Sequence, residues 1–305
     1  MHHSRQQEPG ASSSSAQPGA GDNPTLPPLS LSILGVEPLD EFIKEIADFV
    51  HHMIVNKPEG LHGMVEVEAK IGVLKENASG TRMRLPVLVE SILAPDTLDT
   101  RFESNMSSHQ HRHYRQLLSN LGASPSSAHT ASPLECKHLV YVDSFYKDPD
   151  ASPVERRYRG HDKIRVTRDE KTNTAVECVK KLRLGDLNIY SPKRAADWRV
   201  SVNLEMPVKI PTGPSTHTRR KDRLRYRHEE FVIDLTQVVS QQAIGSPQTT
   251  HELELEIARA ELLVATAAKR NDVTCSEHER SAFDELIRAF VNNARILVRN
   301  SPGFD

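Results

Sequence analysis

Cysteine is scarce in this chain, long apolar runs are absent, aromatic residues are few and the net charge is close to zero. The three cysteines in 305 residues, Cys136, Cys178 and Cys275, are odd in number and far apart. That excludes a disulfide framework and a CxxC metal or redox pair. No stretch approaches the roughly 18 consecutive apolar residues of a membrane span, and Met1 to Gly10 lacks the basic-then-apolar layout of a secretory signal. The expectation is a soluble, intracellular protein. Phe, Trp and Tyr make up 5% of the chain, too little for an open sheet that binds nucleic acid by stacking bases along its face. A GxxxxGK[ST] loop is missing, which argues against a P-loop nucleotidase. The formal net charge of -2 excludes a strongly basic RNA-coating protein.

What the chain has instead is charge unevenly placed. From Glu155 to Arg227 there are 20 Lys and Arg against 9 Asp and Glu, so this segment suits an anion while the remainder is acidic. Residues 1–31, rich in Ser, Pro, Gly and Ala, carry too little apolar surface to offset the entropy of ordering and are expected to be a disordered tail; residues 32–305 are expected to form one domain. Phe42, Ile43, Ile46, Phe49, Val50, Met53 and Ile54 recur at helical spacing after Asp40 and predict an amphipathic helix. A second helix is expected from Ser107 to Leu121, stopped by Gly122, with a surface loop after it. Ser276 and Glu279 form a capping box that opens a last helix, with Phe283, Leu286, Ile287, Phe290, Val291, Ile296 and Leu297 as its apolar stripe. Between Leu134 and Leu235, short alternating segments separated by turn-like pieces predict an antiparallel, curled or closed sheet.

Two segments carry glutamate at every second position. In Val65-Glu66-Val67-Glu68-Ala69-Lys70-Ile71, strand geometry puts Glu66, Glu68 and Lys70 on one face, and in the segment from Glu252 to Ile257 it aligns Glu252, Glu254 and Glu256. Either strand alone reads as a solvated polar face over an apolar one. Together they place five mutually repelling carboxylates on two short strands, which calls for a neutralising partner. Hard divalent cations such as Mg²⁺ or Mn²⁺ accept such oxygen ligands together with substrate phosphates. The middle of the chain offers the opposite charge in the same format: Lys163, Arg165 and Thr167; Lys181 and Arg183; Lys221, Arg223 and Arg225. Ser201, Asn203 and Glu205 share another polar face, as do Asp234 and Thr236. A barrel with these faces turned inward would hold a metal on its acidic strands and a phosphate chain on its basic ones.

VEVEAKI resembles the ExExK signature of the triphosphate tunnel metalloenzymes. With HELELEI at the far end, the chain resembles the fungal and protozoal branch, the metal-dependent mRNA capping RNA 5'-triphosphatases. The likeness continues in order through RFESNMSSHQ, VDSFY, KIRVTRD, LNIYSPK, RVSVNLEMPV, RRKDRLRY and FVIDLTQV, over roughly residues 36–300. It implies an α+β fold: an eight-stranded antiparallel β-barrel tunnel with a polar interior and flanking helices. It implies that Glu66, Glu68 and Glu256 bind Mg²⁺ or Mn²⁺, that Glu254 positions or activates the attacking water, and that Glu252 and Glu205 support the acidic floor. Arg165, Lys181, Lys221 and Arg223 would contact the phosphates, braced by Asp234 and Thr236. Where the family often has Arg, this chain has Val232, so Asp234 needs another basic partner, Arg225 or Arg199, or has a weaker role.

The implied reaction removes the γ-phosphate from the 5'-triphosphate end of nascent RNA, the first step of cap formation. The same resemblance implies a homodimer working beside a separate mRNA guanylyltransferase and the RNA polymerase II transcription machinery in the nucleus, with no membrane association. Two alternatives are a tripolyphosphatase or NTPase of the same superfamily and a non-catalytic barrel that binds RNA or another phosphorylated ligand. Three further signals have plainer explanations. His109, His111 and His113 do not share one helix face and are expected on a solvated surface. Trp198 is expected to be a packing anchor. Cys136 and Cys178 lack an anion-binding loop that would activate a thiol and are expected to be packing residues.

Overall fold

The computed structural model describes residues 28–38, 40–123, 132–242 and 245–303. The chain divides into two units, residues 1–39 and residues 40–305. In the first unit, Ser32 Oγ donates to Val36 O (2.6 Å), and Leu29, Leu31, Ile33, Leu34 and Val36 are exposed. The tail expected over residues 1–31 falls mostly on 1–27, outside the described residues.

The second unit opens with α1 (Glu41–Val55), where the Asp40 carboxylate accepts from the amides of Phe42 and Ile43 and so satisfies two donors of the first turn. Ten strands follow: β1 (Met64–Glu76), β2 (Ser91–Leu93), β3 (Thr100–Glu103), β4 (Glu135–Lys147), β5 (Lys163–Asp169), β6 (Ala175–Tyr190), β7 (Asp197–Pro207), β8 (His217–His228), β9 (Phe231–Gln242) and β10 (Gln248–Ile257). Helix α2 (Ser108–Ala123) lies between β3 and β4, and α3 (Ala260–Lys269) and α4 (Glu277–Arg299) close the chain. Eight strands run antiparallel in the order β10-β9-β8-β4-β5-β6-β7-β1, and β1 pairs back onto β10 to close the barrel. The short β2 and β3 attach outside this ring, to β6 and β1.

Period-two alternation gives the closed sheet its two faces. On β1, Val65, Val67, Ala69 and Ile71 point outward and are buried; on β7, Trp198, Val200, Val202 and Leu204 do the same; on β10, Leu253, Leu255 and Ile257. These residues pack against α1, α3 and α4, so the hydrophobic core lies between the barrel wall and the helices and leaves the barrel interior free for polar side chains. Each fully buried aliphatic side chain in this layer contributes roughly 1.5–3 kcal/mol. Trp198 is fully buried, and its indole N–H donates to Glu90 (2.8 Å), which is the anchoring role expected of it.

Helix α4 begins at the expected reciprocal capping box of Ser276 and Glu279 and buries Phe283, Ile287, Phe290, Val291 and Leu297; Ile296, expected on that stripe, is exposed. Helix α2 continues through Gly122 to Ala123 rather than stopping before the glycine, and the loop expected after it falls on 124–131, outside the described residues. No described helix is long and apolar enough to cross a membrane.

The segment between β1 and β2 is fastened by the fully buried Asp197. Its carboxylate accepts from the backbone amides of Leu74 (2.9 Å) and Ser191 (3.0 Å) and is forked by Arg82 (2.9 and 2.6 Å). Arg82→Ala leaves a buried carboxylate with only its amide donors, and an expected loss of roughly 2–4 kcal/mol should appear as a lower urea midpoint with an unchanged m-value.

Candidate active site

The inner wall of the barrel bounds a cavity of about 1090 Å³. It is lined by Glu66, Glu68 and Lys70 from β1, Arg165 and Thr167 from β5, Lys181 and Arg183 from β6, and Asn203 and Glu205 from β7. Arg219, Lys221, Arg223 and Arg225 of β8 continue the wall, followed by Asp234 of β9 and Glu252, Glu254 and Glu256 of β10. All the sequence-derived site residues except Thr236 therefore meet in one space. Thr236 sits just behind it, buried, accepting from Arg223 Nε (3.2 Å).

The register brings the acidic strands together. Glu68 lies opposite Glu256, and Lys70 opposite Glu254, across the β1–β10 seam. Lys70 pairs with Glu254 and lies 3.3 Å from Glu68; Lys181 pairs with Glu66 and lies 3.7 and 3.6 Å from Glu68 and Glu205. The amide of Asn203 donates to both Glu66 (2.9 Å) and Glu68 (3.1 Å), which fixes the spacing of the two carboxylates.

These neighbours sort the glutamates electrostatically. Burial pushes Glu254 up, but Lys70, Arg223 and Lys221 outweigh it and hold its carboxyl well below the usual range. Glu68 is also lowered: burial opposes, and Lys70 and Lys181 prevail. Burial raises Glu66 despite Lys181, with Glu68 and Glu205 adding to the rise. Glu256 has no ion-pair partner among the described residues, and burial, Glu66 and Asp234 push it up to about 8.

The cations opposite are held by their own set of acids. Arg223 lies 2.7 Å from Asp234, which Arg225 forks at 2.8 and 2.7 Å. The partner that Asp234 needs in place of an Arg at Val232 is thus Arg225; Arg199 pairs instead with Asp186 (3.4 Å) and Asn188 (2.7 Å). Val232 itself lies opposite Glu256 and offers it no charge. Arg165 reaches Glu177 (2.6 Å) and Glu205 (3.3 Å), while its buried Nε has no acceptor. An orphaned guanidinium donor inside a cationic wall is suited to an incoming oxyanion. Gly160 (φ +90°) lets a loop cross β6, where a Cβ would stand 2.2 Å from Lys181 O, and the adjacent Arg159 enters the lining.

Sequence reasoning missed two positioning residues. Asn203 was noted only as part of a polar face. Asp143 lies in the VDSFY motif, on the same alternating face as Tyr141 and Phe145; it is buried, accepts from Thr167 (2.7 Å) and pairs with Lys221 (2.6 Å). Lys221 is lowered by burial and by Arg165 and Arg223, and the Asp143 charge opposes that fall. Asp143→Asn should therefore let Lys221 lose its proton at lower pH. The expected result is an alkaline limb of kcat/KM that moves to lower pH, measured as a pH profile beside the parent enzyme.

The residues outside the site also settle. His111 is half-buried against His251 (centroids 4.7 Å apart) rather than solvated; burial, His251 and Arg115 push it down to about 4. His113 bonds to Asn300 O (2.9 Å), and His109 is exposed as expected, so the three histidines form no cluster. Cys136 is exposed, not packed, because it points outward near the start of β4; burial raises the half-buried Cys178 thiol. No activated nucleophilic thiol faces the cavity.

Does the carboxylate set fit a divalent cation? No three His, Cys, Asp or Glu groups are gathered at ligand spacing among the described residues, since the ammonium groups of Lys70 and Lys181 stand between the carboxylates. Yet Glu66 and Glu256 are half-buried oxygen donors whose carboxyls are raised, Glu256 with no ion-pair partner among the described residues and Glu66 with Lys181 alone, and a hard cation relieves that condition. The donor chemistry fits.

A closed barrel with carboxylates on one arc of its inner wall and Lys and Arg on the other places the chain among the triphosphate tunnel proteins. It belongs to the family described as mRNA capping enzyme, beta chain, whose model matches residues 36–302. The mRNA-capping enzyme subunit beta of Schizosaccharomyces pombe is 34% identical, over 90% of this chain and 86% of that protein. The subunit of the same name from Cryptococcus neoformans is 33% identical, over 90% of this chain and 65% of its own length. The structure of the S. pombe Pct1 RNA triphosphatase in complex with the Spt5 CTD superposes with a TM-score of 0.76 at 32% identity, covering 90% of this chain and all of that one.

Proposed function

We infer that this chain is an RNA 5'-triphosphatase of mRNA capping, a phosphoanhydride hydrolase that converts a 5'-triphosphate RNA end to a diphosphate end and inorganic phosphate. The observation that carries the reading is the opposition of charges within one enclosed cavity, where a pure anion binder would be hindered by the eight glutamates that line it. Arg165, Lys181, Lys221 and Arg223 hold the phosphate oxygens, and Asp234, Thr236 and Asp143 fix the direction of two of these cations. Glu66, Glu68 and Glu256 hold Mg²⁺ or Mn²⁺, which when bound withdraws charge from the phosphoryl group in the transition state. Glu254, kept ionised by its cationic neighbours, is a weak proton acceptor and acts by orienting the attacking water. Glu252, paired with Arg219 (2.8 Å), and Glu205 complete the acidic floor.

The reading extends to partners. The complex of the S. pombe relative with the Spt5 CTD supports recruitment to the RNA polymerase II transcription machinery, and the name shared by the relatives supports work beside an mRNA guanylyltransferase in the nucleus. The homodimer rests on family resemblance alone. The test uses RNA labelled at the γ-phosphate: label release should require Mg²⁺ or Mn²⁺ and stop in EDTA. Undiminished release in EDTA would remove the metal from the mechanism, and cleavage of tripolyphosphate without cleavage of RNA would replace the substrate.

A further inference from the structure

The two mouths of the tunnel differ in chemistry. The antiparallel register places the start of β8, at His217, and the ends of β4 and β9 at one mouth, while the ends of β8 and β10 and the start of β1 share the other. The second mouth is the one toward which Glu66 and Glu256 lie. At the first, Phe145 and His217 are directly paired across β4 and β8, and their rings are stacked, 4.3 Å apart at an angle of 2°. Phe145 lines the cavity, and Lys163 and Arg219 stand close to the imidazole. Lys163 is exposed and has no ion-pair partner among the described residues, unlike Arg165, two residues deeper, which is engaged by Glu177 and Glu205.

Three aromatic side chains line the tunnel. Tyr141 lies deep, opposite Lys221, and Phe102 is covered by the Arg199 guanidinium at 4.9 Å. Phe145, half-buried and stacked on His217, offers a rigid π-surface directly opposite Arg165 on β5, with the unpaired Lys163 close to the imidazole at the rim. That pair of features suits a nucleoside followed by a phosphodiester, and bare inorganic phosphate uses neither.

We propose that the Phe145–His217 stack receives the base of the first nucleotide, with Lys163 on the next backbone phosphate, so that RNA enters by this mouth and its γ-phosphate leads toward Glu66 and Glu256. The proposal rests on the RNA triphosphatase reading. It gives the tunnel a direction and names the residues that separate RNA from bare polyphosphate.

The test compares a short 5'-triphosphate RNA with inorganic tripolyphosphate, as substrate or as competing inhibitor. In Phe145→Ala the ratio of kcat/KM for RNA to that for tripolyphosphate (or to 1/Ki) should fall roughly tenfold, and Phe145→Trp should restore it. Lys137→Ala, at the opposite mouth, should leave the ratio as it was. An unchanged ratio in Phe145→Ala, or the same fall in Lys137→Ala, overturns the proposal. A parent protein that cleaves tripolyphosphate but not RNA fails the underlying reading itself, and that result is seen before any variant is made.

Discussion

Glu66→Ala is expected to keep the barrel folded and to cut γ-phosphate release from triphosphate RNA by about a thousandfold, an effect of the size seen when a preorganised electrostatic contact to the reacting group is removed. The fold should survive because Glu66 is a strained acid to begin with: burial and the neighbouring Glu68 and Glu205 raise it. Lys181 loses its first partner but keeps Glu68 and Glu205 within 3.7 and 3.6 Å. Chemistry should not survive, because the carboxylate that Asn203 orients is one of the three able to share a divalent cation. Two measurements belong together, kcat with γ-labelled RNA and Mn²⁺ affinity by calorimetry. Weakened metal binding with lost turnover supports the ligand role; a folded variant with parental kcat sinks it.

Much of this arrangement was legible because strand geometry is strict about direction. Alternation put Glu66 and Glu68, or Lys221 and Arg223, on one face but left two choices, inward or outward; the family resemblance implied inward, and the burial of Val65, Val67 and Leu253 outside the barrel bears that out. The short alternating segments by themselves predict an antiparallel, curled or closed sheet, the resemblance adds the closed barrel, and the capping box at Ser276 marks α4 by local chemistry alone. What failed depended on tertiary contacts. Helix α3 was not anticipated, since AELLVATAAK is too short and too uniformly apolar to show a clear period. Gly122 lies in the exposed last turn of α2, one residue before its end, a shift of the size helix termini commonly show. His111 is covered only because α2 is laid across β10, which brings His251 to it from far along the chain.

Within the site, the same limit explains which roles were missed. Asp143 and Asn203 are single polar residues on mixed strands, and nothing local distinguishes a brace from a solvated side chain. Their importance comes from Lys221 and the Glu66–Glu68 pair, supplied by other strands. The unusual Val232 shows the converse: the sequence flagged a missing cation, and the fold answers with Arg225 for Asp234 but leaves Glu256 with none.

That unpaired Glu256 leads to a second large effect, in which stability and activity move in opposite directions. In the metal-free protein its carboxyl sits near 8, against 4.5 for the free side chain, so folding takes up a proton. Stability from the protonated form is fully present below about pH 4.5, declines as pH rises, and is lost through pH 8. Glu256→Gln carries the neutral shape without the titration. Its metal-free melting temperature should match the parent near pH 4.5, exceed it increasingly above that, and level off beyond pH 8, by at most roughly 5 kcal/mol or on the order of 10 °C. Saturating Mn²⁺ should reverse the order, because the ionised Glu256 of the parent then gains the positive partner it lacks, while the amide gains little. Activity should fall at least about a hundredfold in the amide variant at every pH. Melting curves at pH 5, 7 and 9, with and without Mn²⁺, read the whole pattern. A Glu256→Gln protein no more stable than the parent at pH 9 without metal would mean that the carboxylate has found a cation in solution, and with it the case for Glu256 as a metal ligand would go.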